Sequence, residues 1–243
     1  MFVSETGIFV PAVTSAQMKE IDRIAVEETG PNLLQMMENA GSALAQSVID
    51  MLGRDWRSAE ILVYAGPGGN GGGGVCGARH LANRDARVSF HFSDPSRLTN
   101  ESEFQLRILR STSARGLSPS DLHSMKPDLI IDAIIGYGLD SRPRGAALEL
   151  IRRIAGGRCP VLSLDVPSGV DATSGEHPGD FVKADRTVTL ALPKTGLTHE
   201  SAGEIFLADI GIPQEVYRRL GLKYTSPFNA RSVIQIVATP ADR

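Results

Sequence analysis

The sequence predicts an α/β protein built in three layers around a central, mostly parallel sheet. Short apolar runs, ILVY at 61–64, LIIDAII at 129–135 and VLSLD at 161–165, read as strands buried on both faces, the usual look of parallel strands. Helical spacing separates these runs, over 99–113 and 146–154 among others. The first run also empties into GPGGNGGGG, residues 66–74, in which seven of nine residues are glycine. A strand, a bare loop and a helix in that order place unpaired helix N–H groups beside accessible backbone. That is an anion cradle, and it gives the sandwich a Rossmann-like character.

Each element follows from local pattern. Residues 1–13 form an arm with weak strand character. Thr14 with Gln17 three residues on predicts a capping box, and Met18, Ile21, Ile24 and Ala25 continue a first helix to about Thr29. Gly30-Pro31 breaks it, and Pro31 suits the first turn of a second helix. Leu33, Leu34, Met37, Ala40, Leu44, Val48 and Leu52 carry that helix to Gly53. Met36, Met37, Glu38 and Asn39 read as packing and surface residues. After Gly74 the pattern turns helical, with Val75, Ala78 and Leu81 on one face and Arg79 and His80 off it.

Ala86 to Phe92 is a second strand, ended by a polar loop at Asp94, and Phe104, Leu106, Ile108 and Leu109 mark the apolar side of helix 99–113. Asp132 is an acid inside the apolar run 129–135, so either a cation or several hydrogen bonds must satisfy it; the bland reading is a tie to a neighbouring loop. GYGLDSRPRG, 136–145, is a loop whose Arg142 and Arg144 can grip phosphate. Helix 146–154 closes at Gly156-Gly157, and strand 160–165 ends on Asp165 and runs into the tight turn to Gly169. Strands at 187–192 and 205–210 follow without a comparable helix between them. Lys194 is either an anion contact or a solvated loop lysine. A short helix over Pro213 and 215–220 and a peripheral last dozen residues complete the chain.

Residues 1–243 read as one domain with no linker-like break. A net charge of −3 gives no footprint for nucleic acid, although Arg142, Arg144, Arg152 and Arg153 can form a local basic patch. Cys76 and Cys159 lack C-x-x-C spacing and read as small buried hydrophobes in a reducing cytosol. Without a secretion-signal pattern or an apolar run of about 20 residues, the expected place is cytoplasmic, with no membrane contact. His80, His91, His123, His177 and His199 show no metal-ligand spacing.

Three loops then share one edge of the sheet: the glycine loop, the loop from Gly136 and the turn after Asp165. Ligands of open α/β sheets bind outside the carboxyl ends of the strands, where Asn70, Asp132, Asp165, Ser168 and an arginine converge on a nucleotide-like ligand. A P-loop is excluded, since no Lys-Ser/Thr follows the glycines. A flexible surface loop is the plain alternative to a cradle.

Four motifs in register carry a resemblance: QMKEID with LLQMMENAG, GPGGNGGGG followed by ARHL, IIDAIIGYGLDSRPRG, and LSLDVPSGVDATSG. From about Thr14 to about Leu222 the chain resembles the NAD(P)H-hydrate epimerase family, the YjeF N-terminal domain. The resemblance implies interconversion of the R and S hydrates of NADH and NADPH, whose S form a separate ATP- or ADP-dependent dehydratase repairs. It also implies a homodimer and a potassium ion held by Asn70, Asp132 and Ser168. Substrate would be held by Gly69, Asn70, Gly71, Gly72 and Gly73, by Gly136, Tyr137, Gly138, Leu139, Asp140, Ser141 and Arg142, and by Asp165. Inversion at a carbon bearing a hydroxyl and the ring nitrogen needs a group that moves protons; Asp165 leads and Asp132 is second. Gly69 and Gly73 stand where the family has its first asparagine and an aspartate, which removes a hydrogen-bond partner of the substrate.

Two other readings remain. AGEIFLADIGIPQEVYRRLGLKYTSPF, with ARHLAN, is similar to the related domain of the mRNA-decapping enhancer scaffold, which implies a catalytically degenerate dimeric nucleotide- or RNA-binding module. An ordinary dehydrogenase would use Asp94 for its ribose but lacks a substrate domain here.

Overall fold

Alternation along the central strands decides the layering. The structure, a computed structural model, describes residues 1–239. In β3 (Glu60–Ala65), Ile61, Val63 and Ala65 point to one core and Leu62 and Tyr64 to another. Its neighbour β6 (Leu129–Ala133) repeats the pattern, with Leu129, Ile131 and Ala133 on the first side and Ile130 on the second. Both faces of the sheet must therefore be covered by helices.

Those helices are α1 (Ser15–Ile24), α2 (Leu33–Leu52), α3 (Gly69–Ala82), α4 (Asn100–Leu109), α5 (Gly145–Ala155), α6 (His199–Ala202) and α7 (Gln214–Arg219). The other strands are β1 (Phe2–Ser4), β2 (Phe9–Val10), β4 (Arg87–Phe92), β5 (Arg115–Gly116), β7 (Val161–Leu164), β8 (Arg186–Leu190), β9 (Glu204–Ala208) and β10 (Val233–Ala238). They form one sheet in the order β2-β1-β10-β9-β8-β7-β6-β3-β4-β5. From β9 to β5 every pairing is parallel, while β10, β1 and β2 add an antiparallel edge. On one face α2 and α3 pack through Ala43, Leu44, Val48, Val75, Ala78 and Leu81; on the other, α5 packs Leu150, Ile151 and Ile154 against Leu62 and Ile130. This is the three-layer, mostly parallel architecture the sequence predicts. Among the described residues no helix is long and apolar enough to cross a membrane.

The capping box of α1 forms as expected, with the Thr14 hydroxyl accepting from the Gln17 amide. Several boundaries differ. Asn32, not Pro31, opens α2, and it forms a second capping box with Gln35. The helix α3 starts at Gly69 rather than after Gly74, although each interior glycine costs about 1 kcal/mol relative to alanine. Close packing outweighs that cost: a Cβ on Gly74 would lie 2.4 Å from the Cβ of Ala133, and one on Gly77 2.8 Å from Leu44 Cδ2. Side chains there would hold the helix off both the sheet and α2. The next helix, α4, stops at Leu109, and its Phe104 points outward at 38% exposure while Ser102 and Gln105 face inward. Ser102 turns in because its hydroxyl donates to Gly68 O at 2.8 Å, under the glycine turn. The segment 233–238 is not peripheral: Ile234 and Ile236 are buried as β10 inserts between β1 and β9. Residues 240–243, the rest of that stretch, lie outside the described residues.

Candidate active site at the carboxyl ends of the strands

Where β3, β6, β7 and β8 end, their loops and the helices α1 and α2 enclose a cavity of about 650 Å³. Its lining includes Asn70, Gly136, Tyr137, Asp165 and Lys194 from the strand ends and their loops, and Met18, Asp22, Met36 and Met37 from α1 and α2.

Asp165 follows the last residue of β7 at φ 70°, a left-handed conformation that its short polar side chain tolerates. Its amide donates to Val188 O at 2.7 Å, which fixes the turn, and the carboxylate is only 3% exposed. Lys194 is its partner, and the two form a buried ion pair. That ammonium also donates to Leu190 O at 2.9 Å. The lysine is wholly buried, so it is not a solvated loop residue; the ion pair is what makes its burial tolerable. The N-terminal arm holds it in place through Val13 N to Pro193 O (2.9 Å) and Thr195 N to Val13 O (3.0 Å).

Tyr137 joins the groups of the cavity. Its amide donates to Asp165 Oδ2 at 2.9 Å, its hydroxyl to Asp22 Oδ2 at 2.5 Å, and the Lys194 ammonium lies 5.8 Å from its ring centroid. Burial pushes the Asp22 carboxyl above its ordinary value, against the opposing pull of the Tyr137 hydrogen bond and the Lys194 charge. Burial, with the Asp22 carboxylate beside it, also drives the Tyr137 phenol up.

The other end of the cavity is backbone. Gly68 precedes α3 without a side-chain cap, and Gly68, Gly69 and Asn70 line the cavity at the positive end of the helix dipole. Gly71 must be glycine, since a Cβ there would sit 1.8 Å from Gly66 O. With its carboxamide turned to satisfy both atoms, Asn70 donates to Leu164 O at 3.2 Å and accepts from Gly136 N at 3.3 Å, tying three loops together.

Asp132 sits behind Ile134 and Ile135, fully buried and away from the cavity lining. It accepts from Ser163 Oγ (2.8 Å), Ser168 N (2.8 Å), Ser168 Oγ (2.5 Å) and Ile134 N (3.3 Å). Burial raises its pKa and these bonds, those of Ser168 foremost, oppose the rise. Ser168 in turn accepts from Ile135 N at 2.9 Å, so the acid clasps the turn after β7 to the end of β6.

Of the residues expected at the site, Gly69, Asn70, Gly73, Gly136, Tyr137, Gly138 and Asp165 line the cavity. Gly71 and Gly72 are turned into the packing; a Cβ on Gly72 would meet Met37 Cε at 2.9 Å. Leu139, Asp140, Ser141 and Arg142 lie beyond the lining, with Arg142 packed over Gly179. The expected basic patch is engaged locally, since Arg152 pairs with Asp180 at 2.9 Å and Arg153 donates to Leu122 O at 2.8 Å. Lining residues beyond those expected at the site include Asp22, Lys194, Met36 and Met37. Asp22 carries a legible signal, because it lies four residues after Met18 and three before Ala25, inside the apolar stripe of α1.

A family model described as YjeF-related protein N-terminus matches residues 33–196. An NAD(P)H-hydrate epimerase of Dehalogenimonas lykanthroporepellens is 45% identical over 239 residues, covering 98% of each chain. Another, of Weissella koreensis, is 37% identical over 85% of this chain and 95% of its own. A bifunctional NAD(P)H-hydrate repair enzyme Nnr of Moorella thermoacetica is 33% identical over 90% of this chain, which spans 43% of that larger protein. Among solved structures, that of yeast YNL200c superposes with a TM-score of 0.83 at 23% identity over 93% of this chain and all of its own, and shares the fold.

Proposed function

The chain belongs to the YjeF-related protein N-terminus family, and from that premise we propose that it is an NAD(P)H-hydrate epimerase, an isomerase of nicotinamide-cofactor repair. It interconverts the R and S hydrates of NADH and NADPH. One observation carries the reading: a single cavity sets the buried Asp165–Lys194 pair beside a glycine-lined helix start. The α3 amides suit the substrate's phosphates, and Asp165 suits proton movement at the hydroxylated ring carbon. Asp132, shut off behind Ile134 and Ile135, serves by holding the turn that carries Asp165. The relatives' names favour the enzyme over a degenerate interaction module, and a module has no use for a buried ion pair facing a cavity.

We place a potassium ion with Asn70, Asp132 and Ser168. These donors are all hard oxygens with a single carboxylate among them, a set that fits a monovalent cation. When bound, the ion supplies positive charge at the strand ends. Dimerisation, a cytoplasmic setting, one domain over the whole chain and cooperation with a separate dehydratase belong to the same proposal. The test feeds purified R hydrate to the protein with an S-specific, ATP-dependent dehydratase. Consumption should run well above the spontaneous rate and rise in potassium over choline chloride; no acceleration overturns the epimerase.

A further inference from the structure

Two aspartates face this cavity, one on each side of Tyr137, and their partners differ. Asp165 meets an ammonium and a backbone amide, whereas Asp22 meets a phenol alone among the described residues. Nothing in the packing of α1 calls for an acid there. A half-buried carboxyl inside an apolar stripe costs stability that an apolar residue would not.

The chemistry of inversion gives it a use. Exchanging a hydroxyl from one face of a ring carbon to the other needs a proton delivered on one face and removed on the other, and a single carboxylate cannot reach both. We propose that Asp22 and Tyr137 form the second proton-handling unit of the cavity, serving the ring face opposite Asp165. This deepens the epimerase reading and rests on it.

The carbon–oxygen bond breaks and its electron pair leaves with the oxygen, which takes the Tyr137 hydroxyl proton and departs as water. When Asp22 is protonated the Asp22–Tyr137 hydrogen bond runs the other way, so the Asp22 proton moves to the phenol oxygen as the phenol gives up its own, and the ring-nitrogen lone pair closes a carbon–nitrogen double bond. A second water attacks the same carbon from the other face, the π pair returns to nitrogen, and Asp165 takes the surplus proton. One water leaves, one enters, and nothing is oxidised or reduced. In the reverse direction the roles exchange, and solvent resets the protons between turnovers.

Its surroundings suit Asp22 to the donor's part. Burial lets it keep a proton to higher pH than an exposed carboxyl. The groups facing it are Tyr137, Lys194 and Asp165 within the cavity, Lys19, Arg23 and Glu27 at the rim, and Tyr217 of α7. Since the R-to-S direction needs Asp22 protonated, kcat should fall as pH rises through its raised pKa.

The test compares wild type, Asp22→Asn, Asp22→Glu and Tyr137→Phe over a pH series, with R hydrate in ¹⁸O-labelled water. Asp22→Asn and Tyr137→Phe should each lower kcat about 100-fold with KM within about threefold, and Asp22→Glu should recover much of the loss. Asp22→Asn should also abolish the alkaline fall in kcat, and each wild-type inversion should install one labelled oxygen. An active wild type whose two variants keep kcat within about threefold overturns the proposal. Inversion that keeps the original oxygen does so too, and that readout needs no variant to fold. An inactive wild type instead overturns the epimerase reading itself.

Discussion

The adjacent strands β6 and β7 run into buried aspartates that are compensated in different ways. Asp132, on β6, is enclosed by two serine hydroxyls and two backbone amides, from the neighbouring strand β7, the turn after it and the end of β6. Asp165, just past β7, is held by one lysine and one amide and lines a cavity. The difference teaches that burial alone does not mark a reactive acid. A carboxylate tied by short-range donors into the packing around it is a fastener, and one balanced by a charge at the edge of open space is free to work.

Replacing Asp165 by Asn should have the largest effect. Turnover should fall at least about 100-fold, and the orphaned Lys194 should cost about 3–5 kcal/mol in urea unfolding. Adding Lys194→Met should restore much of that stability and none of the activity, which separates the pair's two roles. A middle effect on turnover is expected at Asp132→Ala, where stranding the buried donors of Ser163 and Ser168 should cost about 1–3 kcal/mol. Its melting temperature should drop while the shape of the pH–rate profile stays that of wild type. A normal melting temperature with abolished turnover would break the comparison. The smallest effect concerns Leu164, the residue before Asp165. Gly73→Asp would bring a Cβ within 3.0 Å of Leu164 Cδ2 and should cost about 1–3 kcal/mol, whereas the nearest side-chain atom to a Cβ on Gly69 is Met37 Cε at 3.7 Å. Gly69→Asn should therefore unfold within about 0.5 kcal/mol of wild type.

Much of this is legible in the sequence. The continuous apolar run 129–135 and the punctuation at Gly30-Pro31 mark elements because local chemistry sets them. The start of α3 was hidden because intrinsic preference argues against a helix in GNGGGG, and only contact with Ala133, Leu44 and Met37 reverses it. Lys194 was hidden for a different reason. A lysine's burial depends on a partner, and this partner lies 29 residues away in sequence. Asp132 could be seen to need explanation, but whether hydroxyls or a cation would answer it depended on where Ser163 and Ser168 fell. Ser163 is directly opposite in register on β7, a fact of pairing that no single stretch contains.

The antiparallel edge bears on synthesis. Phe2 pairs with Ala238, and among the described residues the only other neighbour of β1 is the two-residue β2. On the ribosome the earliest strand must therefore wait, almost unpartnered, for one of the latest. Until then β9 shows a bare flank to other nascent chains. Closing so distant a pairing is slow, so the interval before residues 233–238 emerge is when the growing polypeptide most needs a chaperone's cover.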